Sequence, residues 1–171
     1  MNKPTLYILC GLPFSGKTTL VSKLSKSLRY PIVSIDDIRF ERGFEWSNKP
    51  LSDTQWKDIF EESYNRTLSY LKEGKSVLYD SANQDRASRN RLKAVVVSDK
   101  FPAKVILLDV DVEVVRKRWL KNQSAKEQKR FHIPKIFFQQ ALDAFERPTE
   151  DENVVIYNQS MDLKQWINEN F

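Results

Sequence analysis

The sequence has little of two residue types on which whole classes of protein depend. Its 171 residues include one cysteine, Cys10, and one histidine, His132. A disulfide framework within the chain is therefore excluded, and no Cys/His cluster is available to bind zinc. Cys10 ends an apolar run, which predicts a buried structural thiol rather than a nucleophile. His132 is predicted to pack or to lie on the surface rather than to catalyse.

Long apolar runs are also missing. No run approaches the roughly 20 residues that cross a membrane, and the apolar stretch after Lys3 leads into a loop rather than into a signal-peptide cleavage site. We therefore expect a cytoplasmic protein without a membrane partner. The length and the 40% hydrophobic content fit a single domain over residues 1–171. The net charge of +5 suits anionic substrates but is too small to indicate nucleic acid.

Glycine is scarce, yet two of the four glycines have the spacing of a phosphate-binding loop. Residues 11–18 read GLPFSGKT and match G-x-x-x-x-G-K-[ST], between an apolar run and a segment with helical spacing. In such a loop the glycines let backbone N–H groups surround phosphate oxygens, Lys17 reaches the outer phosphates and Thr18 ligates Mg²⁺. Both ATP and GTP fit this pattern; we expect ATP with Mg²⁺. The predicted nucleotide-binding residues are Gly11, Pro13, Phe14, Ser15, Gly16, Lys17, Thr18 and Thr19.

Predicted strands and helices alternate along the chain, which is typical of a parallel sheet flanked by helices. Short apolar runs predict strands at 6–10, 31–35, 76–79, 103–108 and 153–157. Helical spacing predicts helices at 19–28, from Ser52 or Asp53 to Gly74, and at 84–98, 112–120, 134–145 and 161–170. Residues 40–51 are predicted to form an irregular loop that borders a substrate cleft.

Carboxylates follow the predicted strands at the edge where open α/β sheets place their chemistry. Asp36 comes directly after strand 31–35, where it can accept the proton of a substrate hydroxyl that attacks the terminal phosphorus. The alternative is that Asp36 caps a helix. Asp37 is predicted to be a cap or a surface residue, and Arg39 is predicted to hold an acceptor phosphate by bidentate hydrogen bonds.

A second carboxylate follows strand 76–79. Asp80 has the position at which nucleotide hydrolases and kinases orient Mg²⁺, so we predict Thr18 and Asp80 as metal ligands. Asn83 is predicted to bind substrate, with the alternative that it only shapes the turn.

Positive charge is concentrated between Val114 and Lys135, where eight basic residues face one acid, Glu127. We predict a lid at about 116–135 that closes over the transferring phosphoryl group, because guanidinium groups stabilise its spreading charge. Arg118 is the first candidate for this role, and Arg130 is predicted to contact substrate. The remaining basic candidates are Arg116, Lys121, Lys126 and Lys129.

Together these motifs resemble a known family. Gly11-x-x-x-x-Gly16-Lys17-Thr18, Asp36-Asp37-x-Arg39 and Asp80-x-x-Asn83 are similar to motifs of the small P-loop kinases that include polynucleotide 5′-kinase domains, zeta toxins and chloramphenicol phosphotransferases. The resemblance extends over the lid and the Phe145-Glu146-x-Pro148 stretch. One departure is an extra residue between Asp80 and Asn83, since polynucleotide kinases have D-x-N.

The resemblance implies a three-layer α/β fold with a five-stranded parallel sheet in the order 2-3-1-4-5. It also implies that Asp36 is the general base, that Arg39 contacts an acceptor phosphate and that Arg118 is the lid arginine. The leading hypothesis is an ATP-dependent kinase with a hydroxyl acceptor, more readily a small molecule than nucleic acid. The alternatives are a polynucleotide 5′-hydroxyl kinase, with Arg86, Arg89 and Arg91 lining a strand channel, and a nucleotide-dependent switch that hydrolyses ATP slowly.

Overall fold

One parallel sheet organises the structure. The computed structural model describes residues 3–44, 50–124 and 133–171. The strands are β1 (Leu6–Cys10), β2 (Ile32–Ser34), β3 (Val77–Asp80), β4 (Ala103–Asp109) and β5 (Val154–Asn158). Their order is β2-β3-β1-β4-β5, and the four neighbouring pairs are parallel. The predicted strand order and fold class are thereby confirmed.

Helices cover both faces of the sheet. They are α1 (Lys17–Leu28), α2 (Ile35–Glu41), α3 (Asp53–Lys72), α4 (Arg86–Val97), α5 (Val112–Gln123), α6 (Lys135–Asp143) and α7 (Leu163–Asn170). A short 3₁₀ helix spans Glu150–Glu152. Among the described residues, no helix combines the length and the apolar character needed to cross a bilayer.

The central position of β1 explains its apolar sequence. All five of its residues are buried, because strands flank it on both sides and helices cover both faces. Leu6, Ile8 and Cys10 belong to one core cluster, and Tyr7 and Leu9 belong to the cluster on the opposite face. The strand therefore delivers the loop that follows it from a rigid base.

Helix α2 was not predicted, and it begins without a loop after β2. The Ser34 hydroxyl accepts a hydrogen bond from the Asp37 backbone N–H at 3.2 Å and so caps this helix. As a result β2 ends one residue earlier than predicted, and Asp36 lies in the first helical turn. Residues 40 and 41 of the predicted irregular loop belong to α2 instead, and residues 45–49 of that loop lie outside the described residues.

Helix α3 matches its prediction closely because its N-terminal signal is local. Ser52 accepts a hydrogen bond from the Gln55 N–H at 3.2 Å, and the Gln55 side chain accepts one from the Ser52 N–H at 2.8 Å. This reciprocal pair is a capping box.

The three arginines of α4 that were predicted to line a nucleic-acid channel are not all available for binding. Arg89 is fully buried and paired with Glu152, while Arg86 pairs with Asp151. Arg91 is exposed and donates to the Ser88 hydroxyl at 2.8 Å. Two of the three cations are thus already neutralised by carboxylates, which weakens the case for a nucleic-acid channel along this helix.

Candidate functional site

The phosphate-binding loop lies where β1 passes into α1. Gly11 has φ 152° and Gly16 has φ 103°, conformations that glycine adopts without steric strain. Between them Phe14 also has a positive φ of 61°. The Lys17 ammonium donates to the carbonyl oxygens of Gly11 at 2.7 Å and Leu12 at 3.0 Å. The Lys17 side chain therefore folds back over the loop, close to where it is predicted to bind phosphate.

Ser15 occupies the centre of this loop and is fully buried. Its hydroxyl has no hydrogen-bond partner among the described residues. A buried hydroxyl without a partner is costly, and a phosphate oxygen entering the loop would satisfy it. This orphaned group fits the predicted nucleotide site.

The two strand-end carboxylates meet beside Lys17. Ser34 and Asp80 are register partners in β2 and β3, and Asp36 follows Ser34 by two residues, so both carboxylates lie at the same edge of the sheet. Burial raises the pKa of Asp80, the charge of Asp36 raises it further, and Lys17 and the Thr18 hydroxyl oppose the shift. The structure thus brings Lys17, Thr18, Asp36 and Asp80 together, although the chain separates them widely.

Asp36 is accessible to solvent and has a raised pKa. It is exposed on the first turn of α2, yet the surrounding protein mass raises its pKa. Arg39 lowers the pKa, Asp37 raises it and Lys17 lowers it, in decreasing order of effect. A carboxylate with these properties can take a proton from a bound hydroxyl.

The residues fit a magnesium ion that a nucleotide helps to hold. The Thr18 hydroxyl and the Asp80 carboxylate are adjacent oxygen donors, of the kind that Mg²⁺ prefers. No group of three His, Cys, Asp or Glu side chains in the described segments could hold a metal by itself. Phosphate oxygens and water would therefore supply the other ligands.

Arg39 and Asn83 are less accessible than predicted. The Arg39 side chain is 4% exposed, donates from Nε to the Phe44 carbonyl at 3.0 Å and lies 5.7 Å from the centre of the Trp56 ring. Asn83 is 5% exposed and donates from Nδ2 to the Leu9 carbonyl at 2.9 Å. Both side chains are held by contacts within the fold, and their contact with a substrate stays a prediction.

Arg118 of α5 reaches the phosphate-binding loop. One terminal nitrogen, Nη1, donates to the carbonyls of Phe14 at 3.2 Å and Ser15 at 2.8 Å, and Nη2 donates to Gln159 Oε1 at 2.6 Å. Gln159 also donates to the Ser15 carbonyl at 3.0 Å. Gln159 was not predicted as a site residue; its position directly after β5, at the edge that carries the chemistry, was the available signal.

Helices α5 and α6 pack on the same loop. Phe138 of α6 stacks on Trp119 of α5 at a centroid distance of 4.7 Å and meets Phe14 edge-on at 6.0 Å. The two helices therefore contact the loop through aromatic rings as well as through the Arg118 hydrogen bonds. Of the predicted lid residues, Lys126, Lys129, Arg130 and His132 lie outside the described residues.

Cys10 is fully buried at the end of β1, and burial raises the pKa of its thiol to about 11. A thiol that stays protonated at neutral pH is a poor nucleophile. The position agrees with the predicted structural role.

Gly11→Ala tests how tightly the loop is packed. A Cβ at residue 11 would lie 2.8 Å from the Leu108 carbonyl oxygen and 3.3 Å from Ser15 Oγ, so the backbone must shift. We expect weaker binding of a fluorescent ATP analogue, by at least about tenfold, and a loss of about 1–3 kcal/mol in the free energy of unfolding. Gly74→Ala is the matched control, because Gly74 also has a positive φ but a Cβ there meets nothing within 4 Å. Equal nucleotide affinity in both variants would contradict the prediction.

Solved structures with the same fold include several kinases. An unliganded sugar kinase from Janibacter sp. is 18% identical with a TM-score of 0.69, and the match covers 97% of this chain and 91% of that one. Kti12 from Chaetomium thermophilum, solved with ADP-AlF₃, is 19% identical with a TM-score of 0.74, over 95% and 94% of the two chains. The APS kinase CysC from Mycobacterium tuberculosis, solved with AMPPNP and APS, is 14% identical with a TM-score of 0.69, over 99% and 96%.

The sheet order, the loop motif and these similarities define a P-loop protein with the fold of small kinases. More particularly, the chain belongs to the family described as AAA domain, whose model matches residues 6–148. The resemblance to small P-loop kinases is thereby confirmed. No curated protein matches the sequence.

Proposed function

We propose that this protein is an ATP-dependent kinase that transfers the γ-phosphoryl group to a hydroxyl of an acceptor. The observation that carries the proposal is the convergence of Lys17, Thr18, Asp36 and Asp80 at one edge of the sheet. A nucleotide-binding loop alone would need no accessible carboxylate with a raised pKa opposite its lysine.

In the proposed reaction the acceptor oxygen forms a bond to the γ-phosphorus while the bond to the β,γ-bridging oxygen breaks and ADP leaves. Asp36 accepts the proton of the attacking hydroxyl. Lys17 and Arg118 balance the negative charge on the phosphoryl oxygens. Mg²⁺, held by Thr18 and Asp80, would neutralise charge on the β- and γ-phosphates.

Arg118 has a defined starting point for this role. Its guanidinium already lies against the Ser15 carbonyl, on the loop that receives the phosphates. In the proposed role this guanidinium exchanges the loop carbonyls for phosphate oxygens, and in the structure its Nη2 also donates to Gln159 Oε1.

A small-molecule acceptor is favoured over an oligonucleotide. Arg86 and Arg89 are occupied by Asp151 and Glu152, so α4 offers less positive charge to a phosphate backbone than its sequence indicates.

A product search tests the proposal. The protein is incubated with γ-labelled ATP, Mg²⁺ and separate pools of metabolites, nucleosides, antibiotics and oligonucleotides bearing a 5′-hydroxyl. We expect a labelled small molecule in one pool. Labelled oligonucleotide alone would support the polynucleotide kinase instead, and free phosphate alone in every pool would support the nucleotide-dependent switch.

A further inference from the structure

A fully buried ion pair lies beneath the site. Arg89 of α4 and Glu152 of the 3₁₀ helix are 0% and 1% exposed, and they form two parallel hydrogen bonds. Arg89 Nε donates to Glu152 Oε2 at 2.7 Å, and Nη2 donates to Oε1 at 2.8 Å. Removing two charges from water is costly, so a buried pair is often no more stable than an apolar replacement. Stability alone is therefore a weak explanation for this pair.

The remaining arginine nitrogen points toward the metal-binding edge. Arg89 Nη1 donates to the backbone carbonyl of Asn83 at 3.2 Å and lies 3.8 Å from Cys10 Sγ. Asn83 has a left-handed φ of 42°, and its amide donates to the Leu9 carbonyl. A continuous chain of contacts thus runs from Glu152 through Arg89 and Asn83 to β1.

This chain of contacts lies at the point where the backbone pairing between β1 and β3 ends. The register pairs between β1 and β3 end at Ile8 and Tyr79, so Asp80 is paired on its β2 side by Ser34 but not on its β1 side. The Asn83 side chain bonds to Leu9, the next residue of β1, and takes the place of the missing ladder bond. The loop that follows Asp80 is thereby tied to the strand that delivers the phosphate-binding loop.

We propose that Arg89 is a positioning residue for the metal ligand Asp80. With Glu152 it holds the Asn83 carbonyl, and the held Asn83 fixes the segment 80–83 against β1. The inference rests on the proposed role of Thr18 and Asp80 in binding Mg²⁺, but it is independent of the acceptor. Residues that orient a metal ligand typically change metal affinity by 10- to 100-fold when they are replaced.

The chemistry of arginine explains why this residue type suits the position. A guanidinium is planar, so two nitrogens bind one carboxylate while the third faces a different acceptor. A lysine at this position concentrates its charge on one ammonium and cannot maintain both contacts in the same geometry.

The test is a titration of Mg²⁺ into protein mixed with a fluorescent ATP analogue, with the affinity measured in EDTA as the reference. For Arg89→Lys we expect the half-saturating Mg²⁺ concentration to rise by at least about tenfold. The affinity in EDTA should stay within about twofold, because Lys17 and Arg118 bond to the phosphate-binding loop without Arg89. Asn83→Gly should give the same shift, because it removes the side-chain hydrogen bond to the Leu9 carbonyl. Glycine accepts the left-handed conformation of residue 83, and the variant leaves the Arg89–Glu152 ion pair intact.

Two controls are needed. One separates a positioning role of Arg89 from a general loss of protein stability, and the other tests whether Asp80 is a metal ligand. Val96→Ala removes a buried side chain from the same helix away from Asn83, and it should lower the melting temperature without changing the Mg²⁺ midpoint. Asp80→Asn should abolish the Mg²⁺ response. If Asp80→Asn abolishes it while Arg89→Lys and Asn83→Gly keep the normal midpoint, the positioning role is overturned and the proposed metal site stands. If Asp80→Asn keeps the full response, both are overturned.

Discussion

The Asp36→Asn variant is expected to turn over at least about a hundredfold more slowly than the unchanged protein, while binding ATP with similar affinity. Loss of a general base usually costs 10²- to 10⁴-fold, and an amide cannot accept the hydroxyl proton. The separation of the two effects follows from the geometry, because Asp36 lies on α2 and the nucleotide loop is held by Lys17 and Arg118. The measurement is steady-state turnover with the acceptor from the product search, together with the dissociation constant of a fluorescent ATP analogue.

Asp37→Asn is the matched control, since the neighbouring carboxylate is exposed on the same helical turn. It should keep nearly full turnover. An Asp36→Asn variant with normal turnover would remove Asp36 from the mechanism.

The raised pKa of Asp36 also predicts the shape of the pH profile. The base acts only when deprotonated, so turnover should increase with pH as Asp36 loses its proton. Because the surrounding protein raises this pKa, the acid limb of the profile should lie above the usual aspartate value of about 3.9.

Lys17→Met should weaken binding of the ATP analogue by at least about tenfold and lower turnover by about 10²- to 10³-fold, the scale for one electrostatic stabiliser. The lysine is predicted to exchange the carbonyls of Gly11 and Leu12 for the outer phosphates. Calorimetry with ATP and Mg²⁺ measures the first effect, and product formation measures the second.

Lys23→Met on the exposed side of α1 removes the same charge from the same helix and should change neither quantity. Loss of Lys17 has a further expected effect, because its charge lowers the pKa of both Asp36 and Asp80. The acid limb of the residual activity should therefore move to higher pH. Normal ATP affinity in Lys17→Met would contradict the assignment of the phosphate-binding loop.

Much of the fold followed from local sequence signals. Residues 11–18 predicted a nucleotide-binding loop because the motif that includes Gly16, Lys17 and Thr18 is a pattern of consecutive residues. Helix α3 was predicted correctly because its capping serine, Ser52, and the helical spacing of its apolar residues are local signals. The strand order followed from the resemblance to a family, since periodicity alone does not order strands in a sheet.

Other features depend on contacts between residues that are far apart in the chain. Helix α2 is a local exception, because the apolar run 31–35 predicted a strand through Ile35, whereas the capping serine Ser34 ends β2 and starts the helix. Arg39 was expected to face an acceptor, and its burial against Phe44 and Trp56 depends on how α2 packs on α3.

The sequence by itself determined that a loop with a phosphate-binding motif lies between a strand and a helix, since its residues are consecutive and their chemistry is local. Only the tertiary structure decided which side chains surround that loop. Gln159 meets Ser15 across 144 positions, and Arg89 meets Glu152 across 63. Gln159 reaches Ser15 because the parallel strands β1 and β5 bring their C-terminal ends to one edge of the sheet. Arg89 reaches Glu152 because α4 packs against the 3₁₀ helix that precedes β5.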